Sequence, residues 1–575
     1  MHIFDPDLKK IEYADLPGSY FEENEEGYQN GVDSIYQKNS KNAYLMTTIG
    51  FCEDPLYAIS LKKEIYNRYF QKRMKTYTFI KYLSKYNPDA KITLIPVDTE
   101  RLTLYISETH EKGGAQYSIP QCIHIWNRIL VSIKNCLCPV IYPVFLVFIS
   151  GKLLLRGLDC KPEQKKFDFA FDIFNSGINI KNLYEFFFIF DFKRIHPEQT
   201  LQVIRNAFQK PDAAQKTEHF FSSHKYPYIQ FDQIKIPVKL FVSLILVKFI
   251  FSNCLSLLRN LSSKQWKYYF LIPSLAVMKM KIEAEIFYQQ YDVKVFIARD
   301  EYSPFHIVRT LVARSHGNAT IGFSHGDDCH HTAALNYLIF DRYVLWGTYY
   351  RNHLAKSLKY SRTDIIGAGI YGLDKTYQWQ SKAYIPSRYR SIREKFKIAG
   401  IFGSSFSPDI YITKELTIKF YKTVLDQTDR YENCYRIIKP KGNEFDDPEL
   451  KEIILNHKNV VLEDSLWTYR LLTALDILIC INVSTVGLEG LIAGKKVFYF
   501  DVTNNKDHHV YSSYDNQLVA FDEKTLQRNL EDYFIRGIYT KKEIIDTIIA
   551  DHGYQFDGMV GERMRKNCME LLKKA

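Results

Sequence analysis

Residues 482–501 read NVSTVGLEGLIAGKKVFYFD, and this stretch decides the fold. Just before it, residues 474–481 (ALDILICI) form an apolar run of strand length. Ser484 and Thr485 stand where that strand hands over to a helix, and Glu489 follows in the first turns. Gly494 then supplies the helix stop, with Lys495 and Lys496 at the negative end of its dipole. Residues 497–500 (VFYF) are the next buried strand. Strand, helix and strand in this order make a βαβ unit of a parallel sheet. A helix N-terminus flanked by hydroxyls is also an anion site that a phosphate fits. An ordinary crossover carries the same signal, so the reading turns on the neighbouring strand ends.

Those neighbours repeat the pattern. Residues 397–402 (KIAGIF) predict a strand ending in Gly403, Ser404 and Ser405, followed by a helix over 412–427. Residues 435–438 (YRII) predict a strand ending in Lys439 and Lys441, and residues 459–462 (NVVL) one ending in Glu463. A helix over 467–475 leads back to the opening stretch. In doubly wound sheets ligands gather beyond the carboxyl ends of the strands. Ser404, Ser405, Lys439, Lys441, Glu463, Ser484 and Thr485 are therefore expected to converge on one crevice. Hydroxyls, helix N–H groups and lysines suit a phosphate or diphosphate, and Glu463 suits base or ribose hydroxyls.

A similar run precedes this one. Residues 272–291 predict a helix, 293–298 (VKVFIA) a strand, 304–315 a helix and 319–323 (ATIGF) a strand. Residues 337–345 and 365–370 predict two more strands. The polar turns place Asp300 and Glu301 after one strand and His325 after another. A carboxylate or imidazole there can deprotonate a sugar hydroxyl, which is typically worth about 10²–10⁴-fold in rate. The run SHGDDCHH (324–331) has metal-ligand residue types. Adjacent residues of one loop cannot all face one ion, so no metal is assigned, and helix capping and surface histidines account for Asp328, His330 and His331.

The 575-residue length calls for two or three domains, and a hydrophobic content of 46% makes the bulk globular. A formal charge of +11 favours anionic partners. No long Lys/Arg run or nucleic-acid motif is present, which argues against nucleic acid. The 10 cysteines include no CxxC pair, so a reducing, cytosolic setting fits and neither disulfides nor a zinc knuckle is indicated. The acidic, polar first residues lack the form of a signal peptide. Residues 44–51 (YLMTTIGF) and 91–96 (KITLIP) read as strands, and 56–85 as a long helical stretch. Residues 136–155 and 238–258 are apolar segments interrupted by Pro139, Pro143, Lys152 and Lys248. They read as buried helices, as in-plane membrane contacts or as spans. They lie in a stretch, about 120–262, expected to be an apolar helical insertion. Residues 564–574 read as a basic amphipathic helix.

The pieces RDEYSPFHIVRT, IGFSHGDD, FDRYVLWG, IIKPKGN and STVGLEGLIAGKKVFYFD, in this order over about 293–501, resemble the GT-B glycosyltransferases of bacterial surface carbohydrate synthesis. That group includes the Kdo transferases of capsule and lipopolysaccharide and, more distantly, the teichoic-acid glycerophosphotransferases. The resemblance implies two Rossmann-like domains facing a cleft: 1–370 on the acceptor side, 371–550 on the nucleotide-sugar side, and 551–575 a basic terminal helix. It implies that His325 is a catalytic or acceptor-side residue and that Lys439, Lys441, Ser484, Thr485 and Glu489 contact the donor nucleotide. The chain departs from the group at Lys441, where the capsule-type enzymes carry a histidine used to meet the CMP phosphate.

The reading is a cytoplasmic, metal-independent glycosyltransferase with no cofactor, moving a sugar from a nucleotide donor to a growing glycan or lipid-linked acceptor, with peripheral contact at the inner face of the plasma membrane. A CDP-alcohol polyol-phosphate transferase, a nucleotide-sugar 2-epimerase and a non-catalytic scaffold of a polysaccharide assembly complex are the alternatives.

Overall fold

A computed structural model describes residues 32–33, 36–37, 44, 48, 51–65, 67, 92–93, 117–118, 137, 141–160, 163–173, 190–191, 193–205, 211–255, 270–298, 303–324, 326, 337–349, 351, 354, 363–404, 413–442, 444–482, 484–503, 509–514 and 517–575. Its two large sheets are parallel throughout.

The first sheet holds seven strands: β1 Lys165–Ile173, β2 Thr200–Ile204, β3 Tyr228–Gln230, β4 Tyr291–Ala298, β5 Ala319–Phe323, β6 Arg342–Leu345 and β7 Asp364–Gly367. Their spatial order is β7-β6-β5-β4-β1-β2-β3. The second holds six: β8 Lys397–Phe402, β9 Cys434–Ile438, β10 Val460–Leu462, β11 Ile477–Ile481, β12 Lys496–Phe500 and β13 Val519–Ala520, in the order β10-β9-β8-β11-β12-β13. Both orders run outward from a central pair, β1/β4 and β8/β11, in opposite directions, which is the doubly wound Rossmann arrangement. The expected GT-B architecture of two Rossmann-like domains is therefore present.

Strands buried on both faces explain the near-continuous apolar runs. Val295 and Ile297 of β4 pack on one side of the first sheet with Phe220, Phe221 and Met564. Phe296 and Ala298 pack on the other with the helices Leu271–Gln290 and Phe305–Ser315. In the second sheet Leu478 and Cys480 face Leu488 and Leu491 of the helix Thr485–Ile492. Ile477 and Ile479 face Phe420 and Val424 of the helix Lys414–Thr428.

Three findings correct the sequence reading. The stretch 120–262, expected to be an apolar helical insertion, also supplies β1, β2 and β3. Its β1 is central, and its buried Asp172 escapes local pattern reading because its partners are distant: Arg205 at 2.8 Å and Arg309 at 2.7 Å. The expected strand over 44–51 is not seen, since the described residues Tyr44, Thr48 and Phe51 are helical. The Thr48 hydroxyl donates to the Tyr44 carbonyl at 2.8 Å, and Tyr44 and Phe51 pack on the rings of Tyr142 and Phe249. Tertiary packing thus overrides the strand propensity of this β-branched and aromatic run. Thirdly, a further strand, β13, follows the one read as last.

The last helix, Val560–Leu572, returns to the first sheet. Val560, Met564, Cys568 and Leu571 enter its core, and Arg342 holds Asn567 at 2.7 Å and Glu570 at 2.9 Å. At this crossing the Thr348 amide donates to the Asp551 carbonyl at 2.9 Å.

Candidate functional site

The crevice with most to offer lies at the switch point of the second sheet, where β8 and β11 run side by side and their outgoing loops part. Phe402 of β8 is in register with Cys480 of β11, so Ser404 and Ser484 leave from adjacent strand ends. Asn482 takes a positive φ of 42° and its Oδ1 accepts the Val502 amide at 3.2 Å, which turns the chain sharply out of β11. Asparagine tolerates this left-handed conformation better than most residues.

Ser484 is the N-cap of the helix Thr485–Ile492, but its side chain makes no capping hydrogen bond. The Ser484 amide donates to the Asn482 carbonyl and the Gly487 amide to the Ser484 carbonyl, both at 3.0 Å, so the hydroxyl stands beside the Thr485 and Val486 amides, whose position in the first turn gives them no helix carbonyl to bond. Gly487 lies against the Tyr499 hydroxyl: a Cβ there would sit 2.3 Å from it, so the close seating of this helix on β12 requires glycine. Gly494, at φ 75°, ends the helix as expected.

Glu489 is buried beneath this turn and accepts from the Tyr469 hydroxyl at 2.8 Å. Burial pushes its carboxyl up to about 7, against the smaller opposing effect of that hydrogen bond. Sequence reading missed Tyr469, which lies 20 residues earlier with no local signal linking the two.

The other strand ends differ in what they leave available. Ser404 is buried at the end of β8, and Ser405 lies outside the described residues. Lys439 is half-buried and its ammonium donates to the Asp464 carbonyl at 3.1 Å. Burial lowers its pKa, and Glu463 and Asp464 oppose the shift. The Lys441 and Gly442 amides both donate to the Glu444 carboxylate at 2.8 Å, so an internal carboxylate fills that backbone nest, while the Lys441 side chain is exposed. Glu463 is almost fully buried and richly engaged within its own domain. It accepts from Tyr389 at 2.6 Å and from Ser465 and Leu466 at 2.9 Å, and it pairs with Arg388 at 2.8 Å. These partners fix the loop after β10.

Across the crevice stands the carboxyl edge of the first sheet. The Ser324 hydroxyl donates to the Gly326 carbonyl at 2.8 Å, closing the turn after β5. A Cβ placed on Gly326 would lie 3.9 Å from Cγ2 of Thr485. Gly326 thus meets the helix N-terminus of the opposite domain. His325 itself, Asp300 and Glu301 lie outside the described residues, as does 327–331 of the histidine-rich run. Among the described residues no group of acidic, histidine or cysteine side chains is arranged to hold a metal.

The arrangement offers a hydroxyl-bearing helix N-terminus, a buried carboxyl of raised pKa and, two strands along at the end of β9, a half-buried lysine. It can bind an anionic group at Ser484 and Thr485 and accept or donate hydrogen bonds at Glu489.

No known protein family's profile matches the chain, and no curated protein matches its sequence. Solved structures do resemble its arrangement. The UDP-GlcNAc 2-epimerase of Neisseria meningitidis bound to UDP-GlcNAc has 9% identity and a TM-score of 0.43, over 71% of this chain and 100% of that one. An S. aureus MnaA–UDP co-structure has 11% identity and a TM-score of 0.46, over 72% and 98%. A UDP-forming trehalose-phosphate synthase from Burkholderia xenovorans has 11% identity and a TM-score of 0.39, over 71% and 99%.

Proposed function

We propose that this protein is a glycosyltransferase that moves a sugar from a nucleotide donor to a glycan or lipid-linked acceptor in bacterial surface polysaccharide synthesis, working on the cytoplasmic side. The observation that carries the reading is the meeting of two edges: the uncapped Ser484 turn and the turn at Gly326, 3.9 Å from Thr485 by Cβ placement. In this reading Ser484, Thr485 and the helix amides bind the donor phosphate, Lys439 and Lys441 add positive charge, and Ser404 and Ser405 line the adjacent strand end. Glu489 meets donor hydroxyls, and Glu463 holds the loop that shapes the pocket. Residues 1–370 form the acceptor side and 371–550 the donor side.

The acceptor hydroxyl attacks the anomeric carbon while its proton passes to His325, or to Asp300 or Glu301. The bond from that carbon to the phosphate oxygen breaks, and its electron pair leaves with the nucleotide. Helix dipole, hydroxyls and lysines stabilise the charge that develops there. This charge relay calls for no divalent ion.

The test is product formation from radiolabelled nucleotide sugars with a polysaccharide primer or lipid-linked acceptor. Transfer that falls by at least about 100-fold in His325→Ala fits the range of general-base help. Turnover surviving within a few-fold would overturn the base assignment. Interconversion of a free nucleotide sugar without any acceptor would replace the reading with an epimerase.

A further inference from the structure

More than half of the large apolar side chains exposed among the described residues fall on two segments, 136–155 and 238–255. In the helix Ile141–Leu154, Tyr142, Leu146, Ser150 and Leu153 face the core. Its opposite face carries Val144, Val147 and Phe148, exposed by 55–65%. In the helix Val238–Leu255, Leu244, Ile245 and Phe249 are buried, while Val242, Val247 and Phe251 are exposed. A surface helix of a water-soluble domain puts polar residues on its outer face. Here the outer faces are mostly apolar, broken by Lys152 in the first helix and by Lys239, Ser243, Lys248 and Ser252 in the second, and neither segment contains an Asp or Glu.

The two helices act as one unit. The strand Leu158–Asp159, just after the first helix, pairs in parallel with Ile236–Pro237, just before the second. Arg156 ties this junction to Glu283 of the helix Leu271–Gln290 at 2.5 Å. The charges around the unit are mostly cationic. Lys152, Lys235 and Lys239 are exposed, with the Lys152 ammonium 4.7 Å from the Phe148 ring centre, and Lys248 pairs with Glu53 at 2.6 Å.

We propose that these paired helices are a footing that lies in the plane of an anionic phospholipid bilayer, with Phe148 and Phe251 entering the acyl boundary and the lysines meeting headgroup phosphates. The inference does not depend on the catalytic reading. Charge selects the occupant: a second copy would set the same lysines against one another, whereas anionic lipid complements them. Packing selects the depth. The helix Val238–Leu255 is long and apolar enough to cross a membrane. However, Phe249 stacks edge-on against Phe51 at 5.7 Å and Asn253 reaches Met278 at 3.6 Å, so one side stays on the domain core from Leu244 to Asn253. A helix held in this way lies on the bilayer and does not cross it.

The test is flotation of the full chain with vesicles of phosphatidylcholine alone and with added phosphatidylglycerol. The expected result is flotation with the anionic vesicles, release by alkaline carbonate, and a loss of about 100-fold in partitioning for V147S/F148S/V247S/F251S. Those side chains are exposed, so the variant's circular dichroism, melting midpoint and nucleotide binding should match the parent, which separates this test from that of the catalytic reading. Lys152→Glu with Lys239→Glu should lower binding to the anionic vesicles. No flotation, equal flotation of the apolar variant, or retention after carbonate would overturn the proposal. So would a concentration-dependent dimer, without vesicle binding, that the same substitutions abolish.

Discussion

Ser484 and Glu489 sit five residues apart, and physical chemistry separates their roles. Ser484 caps nothing with its hydroxyl, so Ser484→Ala removes no helix-capping hydrogen bond. An N-cap serine that did bond its helix would lose about 1 kcal/mol on such a change. Here the melting midpoint should hold while donor affinity falls by about tenfold or more, since a hydrogen bond to a charged group is worth about 1.5–3 kcal/mol. Calorimetric titration of the nucleotide and a thermal melt check the two halves separately.

Glu489 should appear in the pH dependence of stability. Its folded pKa of about 7 lies above the ordinary carboxyl value of 4.5. Between those values the folded chain holds a proton that the unfolded chain has released, so stability falls as pH rises through this window and is lowest above 7. Glu489→Gln keeps the Tyr469 contact and removes the titration. It should flatten the dependence and gain on the order of 3 kcal/mol at pH 8. Urea midpoints at pH 5 and pH 8 for both proteins measure this.

At the scale of elements, five strands of the second sheet were legible because each is a short apolar run closed by polar residues, while β13, only two residues long, was not. Lys397–Phe402 of this sheet and Ala319–Phe323 of the first fall where the sequence puts them. Their order was not legible: that β8 lies between β9 and β11 depends on contacts far apart in sequence. β1 was missed because KKFDFAFDI carries four charges: Lys165, Lys166 and Asp168 are exposed, and the buried Asp172 is met by Arg205, just after β2, and by Arg309 of the helix Phe305–Ser315. The site was legible at Ser484, Thr485 and Glu489, where strand-to-helix chemistry is local. It was not legible at Tyr469 or Glu444, whose parts are set by loops folding back. Gly487 tests the seating of the site helix. With a Cβ 2.3 Å from the Tyr499 hydroxyl, Gly487→Ala must push the helix off β12 or turn the tyrosine. A loss of about 1–3 kcal/mol by denaturant titration is expected from such overpacking.

The whole molecule is two doubly wound domains joined twice, once by the chain after β7 and again by the return of Val560–Leu572 to the first sheet. That helix brings four buried apolar residues and the partners of Arg342 to the first domain. Ending the chain at residue 559 should therefore unfold the first domain, seen as a lost or sharply lowered melting transition, although the removed residues lie far from β1 in sequence. The proposed transfer chemistry also predicts that EDTA leaves turnover unchanged.

The central claim is that the switch-point crevice of the second sheet holds the phosphate of a nucleotide. Its most direct measurement is the thermal midpoint of the full chain with CMP, CDP, UDP and GDP, repeated on Ser484→Ala with Thr485→Ala. Ligand at 100 times its Kd stabilises by about 2.7 kcal/mol. One nucleotide should raise the midpoint of the parent clearly, and the double variant should lose most of that rise while melting, ligand-free, at the parent's temperature. No shift with any nucleotide, or a shift the double variant keeps in full, would contradict the account.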